Sequence, residues 1–275
     1  MTPNAIGASI KYALLIIGMA VVMLPMYLTV TLAFKTREET AKSIFSLPSS
    51  IYLGHMKTIL GNGRFWVYLQ NSLTITLVSL LIIIVIVPMV SYAISRNFGK
   101  TYYKFVYVFI LSGIFVPFQV IMLPTLHYMS DLKLMNHTGL IIMYVTLALT
   151  QGIFLCVGFL KNIQFELDEA SRIDGCSIWQ TFMKIIFPLM APIIVTITTL
   201  NSLGIWNDFT LPLILLNRSP NFWTLPLFIY NFKTEYSIDY NLAFAGFLLT
   251  MLPIIALYGY LQRFLISGLT EGALK

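Results

Sequence analysis

The chain has 275 residues, 58% of them hydrophobic and only 10% charged, with a mean hydropathy of +0.83. Soluble domains carry about 25% charged residues, and a soluble fold of this length has too little interior to hide so much apolar surface, which excludes an ordinary soluble globular domain. The net charge of +6 comes from 17 basic residues dispersed between apolar runs, with no basic stripe or patch for nucleic acid.

A helix that crosses a hydrocarbon core needs about 20 consecutive apolar residues. Six stretches free of Asp, Glu, Lys and Arg reach that length: 12–34, 71–95, 105–130, 134–160, 185–207 and 240–262. The first follows a short basic prelude at Lys11, is too long for a signal-peptide core, and reads as a retained helix. Residues 35–70 mix charge with Pro48, Gly54, Gly61 and Gly63, and 96–104 form a short basic loop. Pro25, Pro88, Pro117, Pro124 and Pro253 interrupt the spans, where kinks are expected. The pattern predicts an all-α polytopic membrane protein with one domain over 1–275. Charge alone leaves the orientation open, because nine basic residues fall on one side and eight on the other.

Two cysteines, Cys156 and Cys176, are too few for a disulfide framework and lack metal-ligand spacing. Gly99-Lys100-Thr101 echoes the end of a phosphate-binding loop, but Ile94 stands where the first glycine belongs. Neither catalytic motifs nor paired histidines emerge, so the chain reads as a non-enzyme that binds neither metal nor cofactor itself.

The polar stretch 161–184, between the fourth and fifth spans, reads as two short helices with a bend. Asn162 is placed to cap the first helix, and Glu166, Asp168 and Glu169 suit its positive N-terminal end. Gly175 ends it, and Ser177 with Gln180 forms a capping box for the second. Ile178, Phe182, Ile185 and Leu189 then recur at helical spacing. Locally, a partner-docking hairpin and a plain interfacial connector fit equally well.

At the end of the fifth span, Trp206, Asn207 and Asp208 combine an aromatic ring, an amide and a carboxylate at membrane depth. An ionisable group there costs roughly 2.5–3.5 kcal/mol on insertion scales, so it faces a cavity or a partner. A translocation path and an interfacial anchor remain equal readings. Gln119, Gln151, Asn201, Thr198 and Thr199 are uncharged polar residues inside spans, for which interhelical hydrogen bonds are the default and a pore lining the alternative.

The run Glu169-Ala170-Ser171, then Gly175 after three residues, then Ile185-Ile186-Phe187-Pro188 after nine more, resembles the EAA signature of binding-protein-dependent ABC importer permeases. That signature is Glu-Ala-Ala, three residues, Gly, nine residues, Ile-x-Leu-Pro; Ser171 and Phe187 depart from it. Asn71-Ser72, FVPFQVIMLPTL (115–126), WNDFTLPLILL (206–216) and the tail LQRFLISGLTEGALK (261–275) are similar to the carbohydrate, maltose-permease-like branch. The resemblance implies a type I importer permease fold in a bacterial or archaeal cytoplasmic membrane, with six transmembrane helices, both termini cytoplasmic and 161–184 as a cytoplasmic coupling loop. It implies that Glu169, Ala170, Ser171, Arg172, Asp174, Gly175, Ile185 and Pro188 couple to a separate ATPase dimer, which uses ATP and Mg. It also implies a second homologous permease subunit, forming a heterodimer, and an extracytoplasmic solute-binding protein that delivers a sugar or oligosaccharide. Trp206, Asn207, Asp208, Asn201 and Gln119 become candidates for the substrate path. The rival is a self-contained secondary transporter or channel, against which stand the sparse intramembrane charge and the absence of a visible repeat.

Overall fold

The computed structural model describes the backbone of residues 3–230 and 239–273, and the side chains of 11–230 and 239–262. The expected basic positions Lys233, Arg263 and Lys275, and the side chains of the tail beyond Gln262, therefore lie outside the described residues. The described chain is helical. In order come α1 (Pro3–Ala33), α2 (Arg37–Lys42), α3 (Gly54–Leu60), α4 (Gly63–Arg96), α5 (Thr101–Ser112) and α6 (Phe118–Asp131). They are followed by α7 (His137–Leu160), α8 (Glu166–Ile173), α9 (Ile178–Leu189), α10 (Ala191–Asn207), α11 (Thr210–Leu216), α12 (Leu225–Tyr230) and α13 (Tyr240–Ala273).

Four helices are long and apolar enough to cross a membrane unbroken: Lys11–Ala33 within α1, Gly63–Arg96, His137–Leu160, and Tyr240–Gln262 within α13. Two further crossings are bent pairs, giving six in all. The second span is longer than its apolar run suggests, because α4 begins at Gly63 and Asn71-Ser72 lie within it rather than opening it. At about 1.5 Å per residue it reaches roughly 50 Å, well beyond the hydrocarbon thickness of about 30 Å. Asn71 and Ser72 use that overhang. The Asn71 amide donates to the carbonyls of Asn221 and Trp223 at 3.0 and 2.9 Å, and the Ser72 hydroxyl accepts from Leu225 N–H at 2.9 Å. The segment after α11 thus includes α12 and is tied down by side chains.

The third span breaks. α5 and α6 meet at 103° across Gly113–Pro117. Proline disfavours a helical residue before it, and Val116 is accordingly extended (φ −94°, ψ 107°). The fifth bends by 71° at Met190, between α9 and α10. Pro188 and Pro192 flank that joint and remove two helical donors. Before it the helix widens into a π-turn over Phe182–Ile186, with Phe187 N–H donating to Phe182 O. A π-turn absorbs one extra residue and makes room for the ring of Pro188.

The chain forms two compact units: Met1–Val67 with Phe228–Leu252, and Tyr68–Leu227 with Pro253–Lys275. The second carries the candidate sites. Its core is built from α4, α7, α9, α10 and α11, with Ile83, Val87, Leu140, Cys156, Leu160, Ile186, Met190 and Leu216 sealed from the surface. Gly152 lets α7 lie against α4: a Cβ there would sit 2.9 Å from a Val87 methyl. Small residues admit such close helix approach in membranes.

In the first unit, Lys35 is fully buried, and its ammonium donates to Ser43 O (2.9 Å), Ile44 O (3.3 Å) and Ser46 Oγ (2.9 Å). The Asn241 amide bonds Leu32 O, Lys35 O and Thr40 Oγ1, and Arg37 pairs with Asp239. Thr36 and Glu39 make a capping box that starts α2. Hydrogen bonds from the Ser49 hydroxyl, then from the Thr36 and Ser49 N–H groups, hold the Glu39 carboxyl down at about 2.

Two outcomes follow from this packing. Gly152→Val should overpack the α4–α7 contact and cost about 1–3 kcal/mol, read as a lower melting temperature in detergent. The ionised Glu39 is the bonded form, so its contribution is complete above the ordinary 4.5 and lost as pH falls through about 2. An infrared difference titration against Glu39→Gln should show the carboxylate band persisting well below pH 4.5.

Candidate functional site

The hairpin of α8 and α9 is assembled by local chemistry. α8 begins at Glu166 with Phe165 in the cap position and no side-chain cap. Asn162 lies three positions further back and does not cap it; its own N–H closes a turn on Phe159 O that ends α7. The other end matches expectation. Gly175 is left-handed at φ +81°, its N–H bonds Arg172 O at 3.0 Å, and Cys176 N–H bonds Ser171 O at 2.9 Å. These two bonds complete a Schellman cap. Ser177 and Gln180 exchange the capping-box bonds, at 3.3 Å from Gln180 N–H and 2.8 Å from Ser177 N–H.

The apolar face of α9 differs from the simple periodic reading. Phe182, Ile186 and Met190 are buried, whereas Ile178 and Leu189 are exposed and Ile185 is half-buried. The π-turn inserts a residue and rotates every position after it by about 100°. Sequence periodicity cannot show that rotation.

Glu169, Ala170, Arg172, Asp174 and Gly175 are all exposed, and Ile173 stands out at 87%. Ile178, Trp179 and Met183 add exposed apolar surface beside them. Ser171 points the other way. It is buried, donating to Asp168 O at 2.8 Å and bonded to Thr181 Oγ1 at 2.7 Å, so it holds the two helices of the hairpin together. Pro188 is exposed beyond the π-turn.

Asp168 separates from its acidic neighbours. Glu166 and Glu169 face out, but Asp168 is 2% exposed. Its Oδ1 accepts the Tyr92 hydroxyl at 2.6 Å, and its Oδ2 lies 2.9 Å from Arg96 Nη2 without the alignment of a hydrogen bond. Arg96 Nη1 donates to Ile163 O at 3.2 Å. Sequence reading treated Asp168 as one of three N-terminal acids and Arg96 as a topology charge. Nothing in their spacing, 72 residues apart, links them.

A second cluster surrounds an open cavity of about 500 Å³ lined by α6, α7, α10 and α11. It brings together Gln119, Gln151, Asn201, Asn207 and Asp208, with Tyr144 and Phe118 beside them. Trp206, expected with them, is 4% exposed and does not line the cavity. Asp208 sits where the helix breaks: its ψ of 129° is extended, and its carboxylate accepts Thr210 N–H at 2.9 Å and Leu211 N–H at 3.3 Å. The Tyr144 hydroxyl donates to the same carboxylate at 2.9 Å. Tyr144 carried no motif and was not singled out. Thr198 and Thr199 bond the carbonyls of Ile194 and Val195 at 2.7 and 2.8 Å, within their own helix and not across helices. The Asn201 and Asn207 amides likewise each spend one donor on an i−4 carbonyl, at 2.8 and 2.9 Å. The two glutamines make no hydrogen bond within the described residues.

Residues 87–271 match the family described as binding-protein-dependent transport system inner membrane component. The chain is 40% identical, over 96% of each sequence, to the multiple sugar-binding transport system permease protein MsmG of Streptococcus mutans. It is 34% identical to the probable starch degradation products transport system permease protein AmyC of Thermoanaerobacterium thermosulfurigenes, over 96% of this chain and 97% of that one. Its fold is that of a chain in a bacterial ABC transporter for the acidic polysaccharide alginate. The TM-score is 0.81 at 21% identity, covering 96% of this chain and 98% of the other.

The turn of the hairpin can be tested directly. A Cβ at Gly175 would meet open space, so Gly175→Ala costs only the left-handed conformation, about 1–2 kcal/mol, and Gly175→Asn less. Hydrogen exchange at Cys176 N–H should accelerate in that order, Ala more than Asn.

Proposed function

The chain belongs to the binding-protein-dependent transport system inner membrane components, and from that premise we propose that it is one half of the pore of an ATP-driven sugar importer. The observation that carries the coupling role is the hairpin's division of labour. Ser171, Thr181 and Asp168 face inward and stiffen it, while Glu169, Arg172, Ile173 and Asp174 stand free on its outer turn. A rigid projection that mixes charge with exposed apolar residues is suited to insertion in a cleft of another protein.

In this reading the hairpin is cytoplasmic and meets a separate ATPase dimer, which binds ATP and Mg. Glu169 pairs with a basic group of the ATPase, and Gly175 permits close backbone approach. Placing the hairpin inside sets both termini inside, in the cytoplasmic membrane. A second homologous permease, most often a different chain, supplies the other half of the pore, and 1–275 acts as one permease domain. An extracytoplasmic binding protein delivers the sugar. The relatives named for multiple sugars and for starch degradation products support a sugar or oligosaccharide as cargo.

The path is proposed to run past the cavity of Gln119, Gln151, Asn201, Asn207 and Asp208. Amides offer both donors and acceptors to sugar hydroxyls. Phe118 offers an apolar face to the ring. Asp208, already accepting three bonds, shapes the break between α10 and α11. Trp206 supports that break from the buried side. Transport needs no bond chemistry in this chain, only two arrangements of the pore that the ATPase biases.

The experiment is expression of the tagged chain with its neighbouring transport genes, followed by purification and uptake. An ATPase subunit and a second permease should co-purify. Deleting the chain should abolish uptake of at least one labelled mono- or oligosaccharide. Glu169→Lys or Gly175→Asp should lower that uptake about tenfold or more at unchanged membrane abundance. Uptake by the isolated chain in liposomes without ATP would sink the reading.

A further inference from the structure

Besides the short turn over 161–165 that follows α7, the hairpin reaches the membrane helices by two routes. One is covalent: α9 leads into α10 through the π-turn and the 71° bend at Met190. There the helical hydrogen-bond ladder is interrupted, so this route is a compliant joint. The other route is through side chains to the end of α4, an unbroken helix from Gly63 to Arg96.

That second route touches every part of the hairpin. Tyr92 donates to Asp168 Oδ1 at 2.6 Å, and Arg96 lies 2.9 Å from Asp168 Oδ2, which joins α4 to α8. Arg96 also donates to Ile163 O at 3.2 Å, and its guanidinium lies 5.6 Å from the Phe165 ring, which joins α4 to the turn that leads into the hairpin. The Tyr92 ring lies 5.2 Å from that of Phe182, which joins α4 to α9. Asp168 is 2% exposed and the Arg96 side chain 11%, so water neither competes with the pair nor screens it. A buried carboxylate facing a buried guanidinium resists separation, because parting them leaves two uncompensated charges.

We propose that Tyr92, Arg96 and Asp168 form a clamp that makes the hairpin and α4 one rigid body, so that ATPase movement reaches α4 directly. The three are positioning residues. They lie behind the docking face and transmit its displacement. This inference rests on the reading of the hairpin as the ATPase contact.

The test uses the purified complex, with Cys156 and Cys176 replaced and spin labels at Leu167→Cys on α8 and at Lys100→Cys. Distances are measured without nucleotide and with ATP–Mg under non-hydrolysing conditions. With the clamp intact, one narrow distance should persist in both states. Asp168→Asn should broaden it and make it shift on ATP–Mg, while the ATPase still co-purifies. Tyr92→Phe removes one hydrogen bond and keeps the packing on Phe182, so it should produce a smaller broadening and serves if Asp168→Asn does not accumulate. Combining the two should be no worse than Asp168→Asn alone, as for residues acting as a unit. An unchanged narrow distance in these variants would overturn the clamp. So would loss of the ATPase from Asp168→Asn at normal abundance, because that would place Asp168 in the docking face itself. If the unaltered chain retains no ATPase, the functional reading fails instead, which separates the two.

Discussion

A polypeptide in hydrocarbon must close its backbone hydrogen bonds inside each helix, and wherever a helix breaks, something else must take up the freed groups. The structure is organised by that constraint. α4, α7 and the long stretches of α1 and α13 continue as helix, even through Pro25, Pro88 and Pro253, so their polar side chains are left for tertiary bonds such as those of Asn71, Tyr92 and Asn241. Each interruption comes with its own device. The extended Val116 and Pro117 turn the third span by 103°. A π-turn accommodates Pro188 before the 71° bend at Met190. At Asp208, a carboxylate takes over the N–H groups of Thr210 and Leu211. Of the polar groups proposed to meet the cargo, Gln119, Asn207 and Asp208 lie at or within two residues of these interruptions, while Gln151 and Asn201 project from regular helix.

The charged groups that turn inward obey the same economy. Asp168 is matched by Arg96 and Tyr92, Asp208 by Tyr144 and two backbone donors, and the buried Lys35 by two carbonyls and the Ser46 hydroxyl. A lone buried charge would cost several kcal/mol, so each is held in one geometry by several partners. That makes these groups good at fixing shape. Where one of them joins the hairpin to a spanning helix, fixing shape and transmitting movement become the same task.

The departures from the EAA pattern have physical content. Ser171, in place of alanine, adds a hydroxyl that bonds Asp168 O and Thr181 Oγ1 across the hairpin, so its effect is internal to the fold. Phe187 lies within reach of the Phe182 ring, at 5.8 Å, and packs at the end of the π-turn. Both substitutions act behind the exposed turn and leave Glu169 and Gly175 presented outward.

Much of the local chemistry was legible in the residues. Run lengths placed six apolar crossings, Gly175 and the Ser177–Gln180 box set the hairpin's turn, and the spaced motif pointed to the family, because each depends on neighbours within a few positions. The tertiary structure alone decided what depends on direction and distance. It turned Asp168 inward to meet Arg96, 72 positions away, and moved Trp206 away from the cavity that collects Gln119, Asn201, Asn207 and Asp208. It also rotated the face of α9 through a π-turn, started α8 without Asn162, and kept the threonine hydroxyls within their own helix. A sequence specifies which groups must be satisfied; which partners satisfy them is settled only when the helices pack.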